Sequence, residues 1–225
     1  MARVIVFDVN ETLLDLAALD ALFEAAFGRA GMRQRWSERL IASALVSTVI
    51  GTYHDFGALG RVALETLAVQ EGVDLPDARR DTILGTVRRL PPHAEVPGAL
   101  ERLSGTGLRL AALTNSTGEV ARAQLEHAGL ARVFERILSA DTVRRLKPAP
   151  EPYEMAAREL GVPIDQVRLV AAHGWDVAGA LAAGAAAAFV ARPGRALEGL
   201  APRPDIVGAD LAEVTERILA VEQPA

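Results

Sequence analysis

Short, wholly apolar runs alternate along this chain with longer segments whose apolar residues recur every three or four positions. Val4-Ile5-Val6-Phe7 is the first such run and ends at Asp8. A continuous apolar run suits a strand buried on both faces of a parallel sheet. The same pattern predicts strands over Leu108–Leu113, Val167–Ala172 and Ala186–Val190, a weaker one at Ile137-Leu138, and an edge strand at Asp205-Ile206-Val207. Helical periodicity covers Val96–Leu103, Glu119–Ala128, Glu151–Leu160, Val177–Ala183 and Leu211–Val221. Gly129, Gly161 and Gly184 stand where those helices should stop. Strand alternating with helix is the pattern of an α/β fold with a doubly wound parallel sheet.

One stretch breaks the rhythm. From about Leu16 to Arg89 the periodicity is helical throughout, with helices predicted over Ala17–Phe27, Trp36–Ile50, Phe56–Gln70 and Asp77–Leu90. In the second of these, Trp36, Leu40, Ile41, Ala44 and Leu45 fall on one face. A helical block entered directly after the first strand reads as an inserted cap, with Leu90-Pro91-Pro92 and Val96-Pro97-Gly98 as the return hinge. The expected division is an α/β core from residues 1–15 and 90–225, and a helical cap from residues 16–89.

Composition narrows the function. The 225 residues are 50% hydrophobic, enough to bury a sizeable core. The net charge is -5 and no block of Lys or Arg stands out, so nucleic acid is not an expected partner. There is no cysteine, which excludes disulfides and thiolate zinc sites. Met1-Ala2-Arg3 leads straight into an apolar strand and no run is long enough to span a bilayer, so a cytoplasmic location away from membranes is expected.

Ligands in doubly wound sheets bind beyond the carboxyl ends of the strands. Polar residues gather at those ends: Asp8-Val9-Asn10-Glu11-Thr12, Thr114-Asn115-Ser116-Thr117, Lys147-Pro148, and Ala172-His173-Gly174-Trp175-Asp176. Singly, each has an ordinary explanation. An Asp after a strand usually caps a helix or forms a turn, an isolated Lys is usually on the surface, and a Trp is usually core. Their order on one rim carries the weight.

That order resembles the haloacid dehalogenase superfamily over nearly the whole chain. Phe7–Leu13 looks like the first family motif, Leu113–Ser116 the second, Lys147-Pro148 the third and Ala172–Asp176 the fourth, with the helical insertion at the family's cap position. Phosphatases of this superfamily carry a second acid two residues after the nucleophile and a carboxylate metal ligand early in the fourth motif. Here those positions are Asn10 and Ala172. Asn10 cannot protonate a leaving alcohol and Ala172 offers a hard cation no side-chain oxygen. A halide leaves without a proton, so the chain is more similar to the type II L-2-haloacid dehalogenases, with no metal and no cofactor expected.

The resemblance implies the roles. Asp8 is the nucleophile that forms an ester with a small haloacid. Lys147 keeps it ionised, Thr12 and Thr114 hydrogen-bond Asp8 or the substrate carboxylate, and Asp176 orients or deprotonates water. Asn10, Ile41, Phe56, Asn115, Tyr153, His173 and Trp175 are expected around the substrate, with Asn115 facing the halide. A homodimer is expected from the same resemblance. The chain also departs from the pattern. Ser37 stands where the dehalogenases have a cap arginine after the tryptophan, with Arg33, Arg35 and Arg39 as neighbouring substitutes. Ala171 and His173 replace a serine and an asparagine; His173 is a candidate for water orientation or halide contact, and His54 a weaker one. A phosphatase or phosphonatase-like hydrolase and a catalytically idle binding protein of the same fold are the alternatives.

Overall fold

A computed structural model describes residues 4–222. The expectations for residues 1–3 and 223–225, including the reading of Met1-Ala2-Arg3 and the outermost ends of the core, lie outside the described residues. Six strands form one parallel sheet in the order β3-β2-β1-β4-β5-β6. They are β1 (Val4–Phe7), β2 (Leu110–Thr114), β3 (Arg136–Ser139), β4 (Val167–Ala171), β5 (Ala186–Val190) and β6 (Ile206–Gly208). The predicted Leu108–Leu113 strand is thus shifted by one or two residues, starting only after Gly107 in the left-handed region.

The apolar run of β1 lies at the centre, paired with β2 on one side and β4 on the other. Its alternate residues feed two separate layers. Ile5 and Phe7 pack with α5 (Val96–Ser104), α6 (Gly118–His127) and α9 (Leu211–Glu222). Val4 and Val6 pack with α7 (Pro150–Leu160) and α8 (Gly174–Ala182). This is the period-two consequence of a strand covered on both faces. Because the chain winds outward from β1 in both directions, the strand order reverses beside Asp8, which places a crevice there.

Between β1 and α5 the chain is helical: α1 (Asp20–Phe27), α2 (Met32–Ile50), α3 (Phe56–Glu71) and α4 (Asp77–Thr86). Three details differ from the sequence pattern. The first predicted helix is split, because Asp15 accepts a hydrogen bond from Ala17 N–H and closes a separate 3-10 turn over Leu16–Leu19. Leu45 is exposed, since the buried stripe of α2 runs through Met32, Trp36, Leu40, Ala44 and Ser47, and Leu45 lies one residue out of phase. The fourth helix gives way to a 3-10 turn over Val87–Arg89, and Leu90 is extended before Pro91. Val9, Leu13, Leu14 and Leu16 continue the core of the sheet into this helical block.

Hydrogen bonds fasten both ends of the block to the core. Arg33 of α2 donates to Glu11 (3.1 Å), which also accepts from Arg195 (3.0 Å). At the other end the Tyr53 hydroxyl donates to Asp141, and Arg145 donates to Thr48 O (3.2 Å). Among the described residues no helix is long and apolar enough to cross a membrane.

Candidate active site

Asp8 follows β1 and is buried, its backbone N–H donating to Val170 O of β4 (3.0 Å). Both carboxylate oxygens are engaged. Oδ1 accepts from Lys147 Nζ (2.9 Å); Oδ2 accepts from Thr12 Oγ1 (2.7 Å) and lies 3.2 Å from His173 Nδ1. Burial is the largest single influence and works to raise its pKa, but the Lys147 charge, the His173 hydrogen bond and charge, and the Lys147 hydrogen bond together outweigh it, so the carboxyl is held well below the usual carboxylate range. Thr12 in turn accepts from Ala172 N–H (2.9 Å), tying the first strand end to the fourth.

Lys147 is fully buried and uses all three of its donors: Asp8, Leu113 O (3.0 Å) and Asp176 Oδ2 (2.5 Å). Burial disfavours its charge, but Asp176 and Asp8 together overcome that and raise its pKa. Its position is fixed by Asn115, whose amide grips the Lys147 backbone at both ends: Oδ1 accepts from Lys147 N–H (2.8 Å) and Nδ2 donates to Lys147 O (3.3 Å).

Asp176 lies behind Lys147. The fourth-motif residues belong to the first turn of α8, which starts at Gly174 rather than Val177 because His173 is extended and begins the helix. Asp176 Oδ1 accepts from the Tyr153 hydroxyl (2.6 Å), and its other oxygen faces Lys147. Burial and the Asp8 charge push its pKa up against the pull of Lys147. Tyr153 is likewise raised, by burial first and the Asp176 charge second, and stays a neutral donor. Gly179 makes this approach possible. A Cβ there would sit 2.5 Å from Pro148 Cβ and 2.7 Å from the Tyr153 hydroxyl, so a side chain would hold α8 away from the third motif.

A cavity of about 630 Å³ opens between this rim and the helical block. Of the residues expected at the substrate, Asp8, Asn10, Ile41, Phe56, Thr114, Asn115, Lys147, His173 and Trp175 line it. Thr12, Tyr153 and Asp176 do not. Thr12 holds Asp8 from below, as expected for it. Tyr153, expected beside the substrate, is buried and its hydroxyl donates to Asp176. Asp176, expected to orient or deprotonate water, has its carboxylate between Lys147 and Tyr153. Thr114 borders the cavity, but its hydroxyl accepts from Ser116 N–H (3.2 Å). Asn10 donates to Ser116 Oγ (3.2 Å) and accepts from Gln124 (2.9 Å). The His173 ring leans on Trp175, centroids 5.1 Å apart.

The three arginines considered as substitutes at the Ser37 position all turn elsewhere. Arg33 binds Asp20 (2.6 Å) and Glu11, Arg35 binds Glu71, and Arg39 binds Gln70 (2.5 Å). Ser37 itself lines the cavity, whereas His54 borders a different depression. Two arginines that do border the cavity, Arg61 and Arg88, carry no signal in the sequence beyond ordinary surface polarity. Gln124 was also missed. It is wholly buried on α6 and joins Asn10 to Val87 O (2.9 Å); a lone amide at an apolar step of that helix, between Ala121 and Leu125, is the trace it leaves.

Among the described residues no group of three or more His, Asp or Glu side chains is placed to hold a metal ion. At the position considered for a metal carboxylate, Ala172 contributes only its backbone N–H, and that is taken by Thr12.

Comparison with known proteins agrees with this geometry. The chain is 30% identical over 214 residues to an (S)-2-haloacid dehalogenase of Pseudomonas sp. (strain YL), covering 94% of this chain and 92% of that protein. It is 29% identical to haloacetate dehalogenase H-2 of Moraxella sp. (strain B), covering 89% and 91% of the two chains. The structure superposes with a TM-score of 0.91, at 26% identity and over 100% of both chains, on L-2-haloacid dehalogenase from Xanthobacter autotrophicus with chloropropionic acid covalently bound. Residues 2–184 match the family model for haloacid dehalogenase-like hydrolases, and the chain belongs to that family.

Proposed function

We propose that this chain is a hydrolytic dehalogenase that converts 2-haloacids to 2-hydroxy acids through an ester on Asp8, with the helical block of residues 16–89 serving as its cap. The observation that carries this reading is a buried carboxylate kept ionised by Lys147 while facing the cavity. Asp8 attacks the carbon bearing the halogen; the C–O bond forms as the carbon–halogen bond breaks and halide leaves with the electron pair. Water then attacks the Asp8 carbonyl carbon, and the tetrahedral intermediate collapses with cleavage of the bond from that carbon to the ester oxygen. This restores the Asp8 carboxylate and releases the 2-hydroxy acid, whose oxygen receives the proton taken from water. His173 touches both Asp8 and the cavity, so it is the group that orients this water and takes its proton. Lys147 offsets charge on the tetrahedral intermediate, and Asp176 acts through Lys147. Asn10, with its amide bound to Ser116 and Gln124, offers no acid for an alcohol leaving group, which favours a halide over a phosphoester.

The test is a single turnover in ¹⁸O-water with enzyme in excess. Label is expected on the peptide containing Asp8 and not in the product, with an L-2-haloacid giving the D-2-hydroxy acid and EDTA leaving halide release unchanged. Label in the product would mean direct attack by water and would sink the mechanism.

The reading extends to a homodimer formed through the outward faces of α2 and α3. Val46, Val49, Val62 and Val69 are exposed there around a shallow depression, an arrangement that favours self-association. Light scattering on the eluting protein should give twice the chain mass, and Val49→Asp should halve it; a monomer in the parent chain would refute the dimer.

A further inference from the structure

The cavity is much larger than the reaction needs. At ~30 Å³ per water, its 630 Å³ holds roughly twenty waters, whereas 2-chloropropionate has the non-hydrogen atoms of about six. A small haloacid at Asp8 would leave about two thirds of the space unfilled. The volume lies within the ~300–1,000 Å³ range of pockets that enclose far larger ligands.

The cavity's apolar lining shows what could fill it. It is built from Leu40, Ile41, Phe56, Leu84, Val87 and Val120, contributed by α2, α3, α4, the turn after α4, and α6. Two arginines border the cavity, and each already has an acidic partner: Arg61 pairs with Asp81 (2.8 Å) and Arg88 with Glu119 (2.7 Å). Asp55 is occupied as the cap of α3, accepting from Ala58 N–H (2.9 Å). A second carboxylate would have to compete with those acids, whereas an apolar group gains contact with the wall and sheds water.

We propose that the preferred substrates are 2-haloacids carrying a medium-length alkyl or aryl substituent on C2. This inference rests on the dehalogenase reading above. The carboxylate and the halogen-bearing carbon lie at the rim, and the substituent runs under α2 and α4. Gly85 marks its course: it borders the cavity, and a Cβ there would meet no atom within 4 Å, so a side chain at this position would occupy space the substituent needs.

Halide release is measured for 2-bromopropionate, 2-bromohexanoate, 2-bromooctanoate and 2-bromoadipate. In the parent enzyme kcat/KM is expected to rise with chain length, by up to about fourfold for each methylene buried. Gly85→Leu is expected to lower the ratio of 2-bromooctanoate to 2-bromopropionate by about tenfold or more. Release from 2-bromopropionate alone, with no gain along the series, would overturn the inference while leaving the dehalogenase reading intact. Preference for 2-bromoadipate over 2-bromohexanoate would overturn it in favour of a dicarboxylate. If none of the acids releases halide, the dehalogenase reading fails. Calorimetry with unreactive octanoate and propionate then decides the cavity's preference: tighter octanoate binding that Gly85→Leu weakens supports it, and equal binding overturns it.

Discussion

The two walls of the cavity are held together by different physics. On the rim the charged groups and Asn115 are held by several partners each. Lys147 uses three donors, Asn115 grips one backbone from both ends, and both oxygens of Asp8 and of Asp176 are taken. On the opposite wall, the Trp36 indole makes one hydrogen bond, to Gly60 O (2.8 Å), and Ile41, Phe56, Leu84 and Val87 contribute apolar surface. A saturated buried network tolerates little, because removing one member strands the others without partners. An apolar wall tolerates repacking so long as volume is roughly kept. The chemistry therefore resides in residues that cannot change singly, and substrate choice in residues that can.

The severest way to break that contrast is Lys147→Met. Without the ammonium, burial governs Asp8, and its pKa moves from below the usual carboxylate range to above it. Ester formation at neutral pH should fall by at least ~10²–10³-fold, measured in single-turnover quench experiments. Stability should fall by about 3–5 kcal/mol in denaturant titrations, since two buried carboxylates lose their common counter-ion. The sign of the pH dependence reverses as well. In the parent chain the depressed Asp8 adds stability that is present above the unfolded carboxylate pKa and lost as pH falls through the folded one. In the variant acidification should stabilise, and a parent-like pH dependence would show that Lys147 does not set the charge of Asp8.

A smaller effect is expected from His173→Asn. The cavity wall keeps an amide of similar reach but loses the group that takes the water's proton. Ester hydrolysis should slow by about 10²–10⁴-fold while ester formation persists, so the alkylated Asp8 peptide accumulates in mass spectra. Unchanged hydrolysis would leave His173 a purely structural part of the rim. The mildest change is Phe56→Ala, on the apolar wall. It should alter relative kcat/KM among 2-haloacids by roughly tenfold and stability by about 1 kcal/mol or less, because the ring is only half-buried. An equal loss of kcat for every acid would erase the distinction between the two walls.

How much of this was legible in the sequence follows the same division. The strands of the core are apolar runs with no competing reading, so Asp8, Lys147 and His173 could be placed on one rim from pattern alone. Their partners were less visible. The expectations for Tyr153 beside the substrate and Asp176 beside water come from the family resemblance, whereas the hydrogen bond between them depends on how α7 and α8 face each other, which spacing along the chain does not register. Gly179, which draws α8 against Pro148, carries no signal that periodicity can register. On the helical block, period gives a face but not its neighbour, so Arg33 was weighed as a substitute at the Ser37 position, although it is turned toward Glu11. The exposed Leu45 fell to the same limit: one residue of phase on a helix is about a hundred degrees.

Glu11 has a mechanical consequence. It is a non-glycine residue at φ 64°, a conformation costing about 1–3 kcal/mol unless its surroundings hold it there. They do: its N–H donates to Leu14 O (2.9 Å), its carbonyl meets His93 Nε2 (3.0 Å), and its carboxylate joins Arg33 of α2 to Arg195 of the core. Its next neighbour in the chain is Thr12, whose hydroxyl grips the nucleophile. Glu11 thus works as the fulcrum of a lever, with the helical block as the long arm and the Thr12–Asp8 contact as the short one. The contact that holds the helical block to the core and the contact that aims Asp8 lie on adjoining residues of one loop.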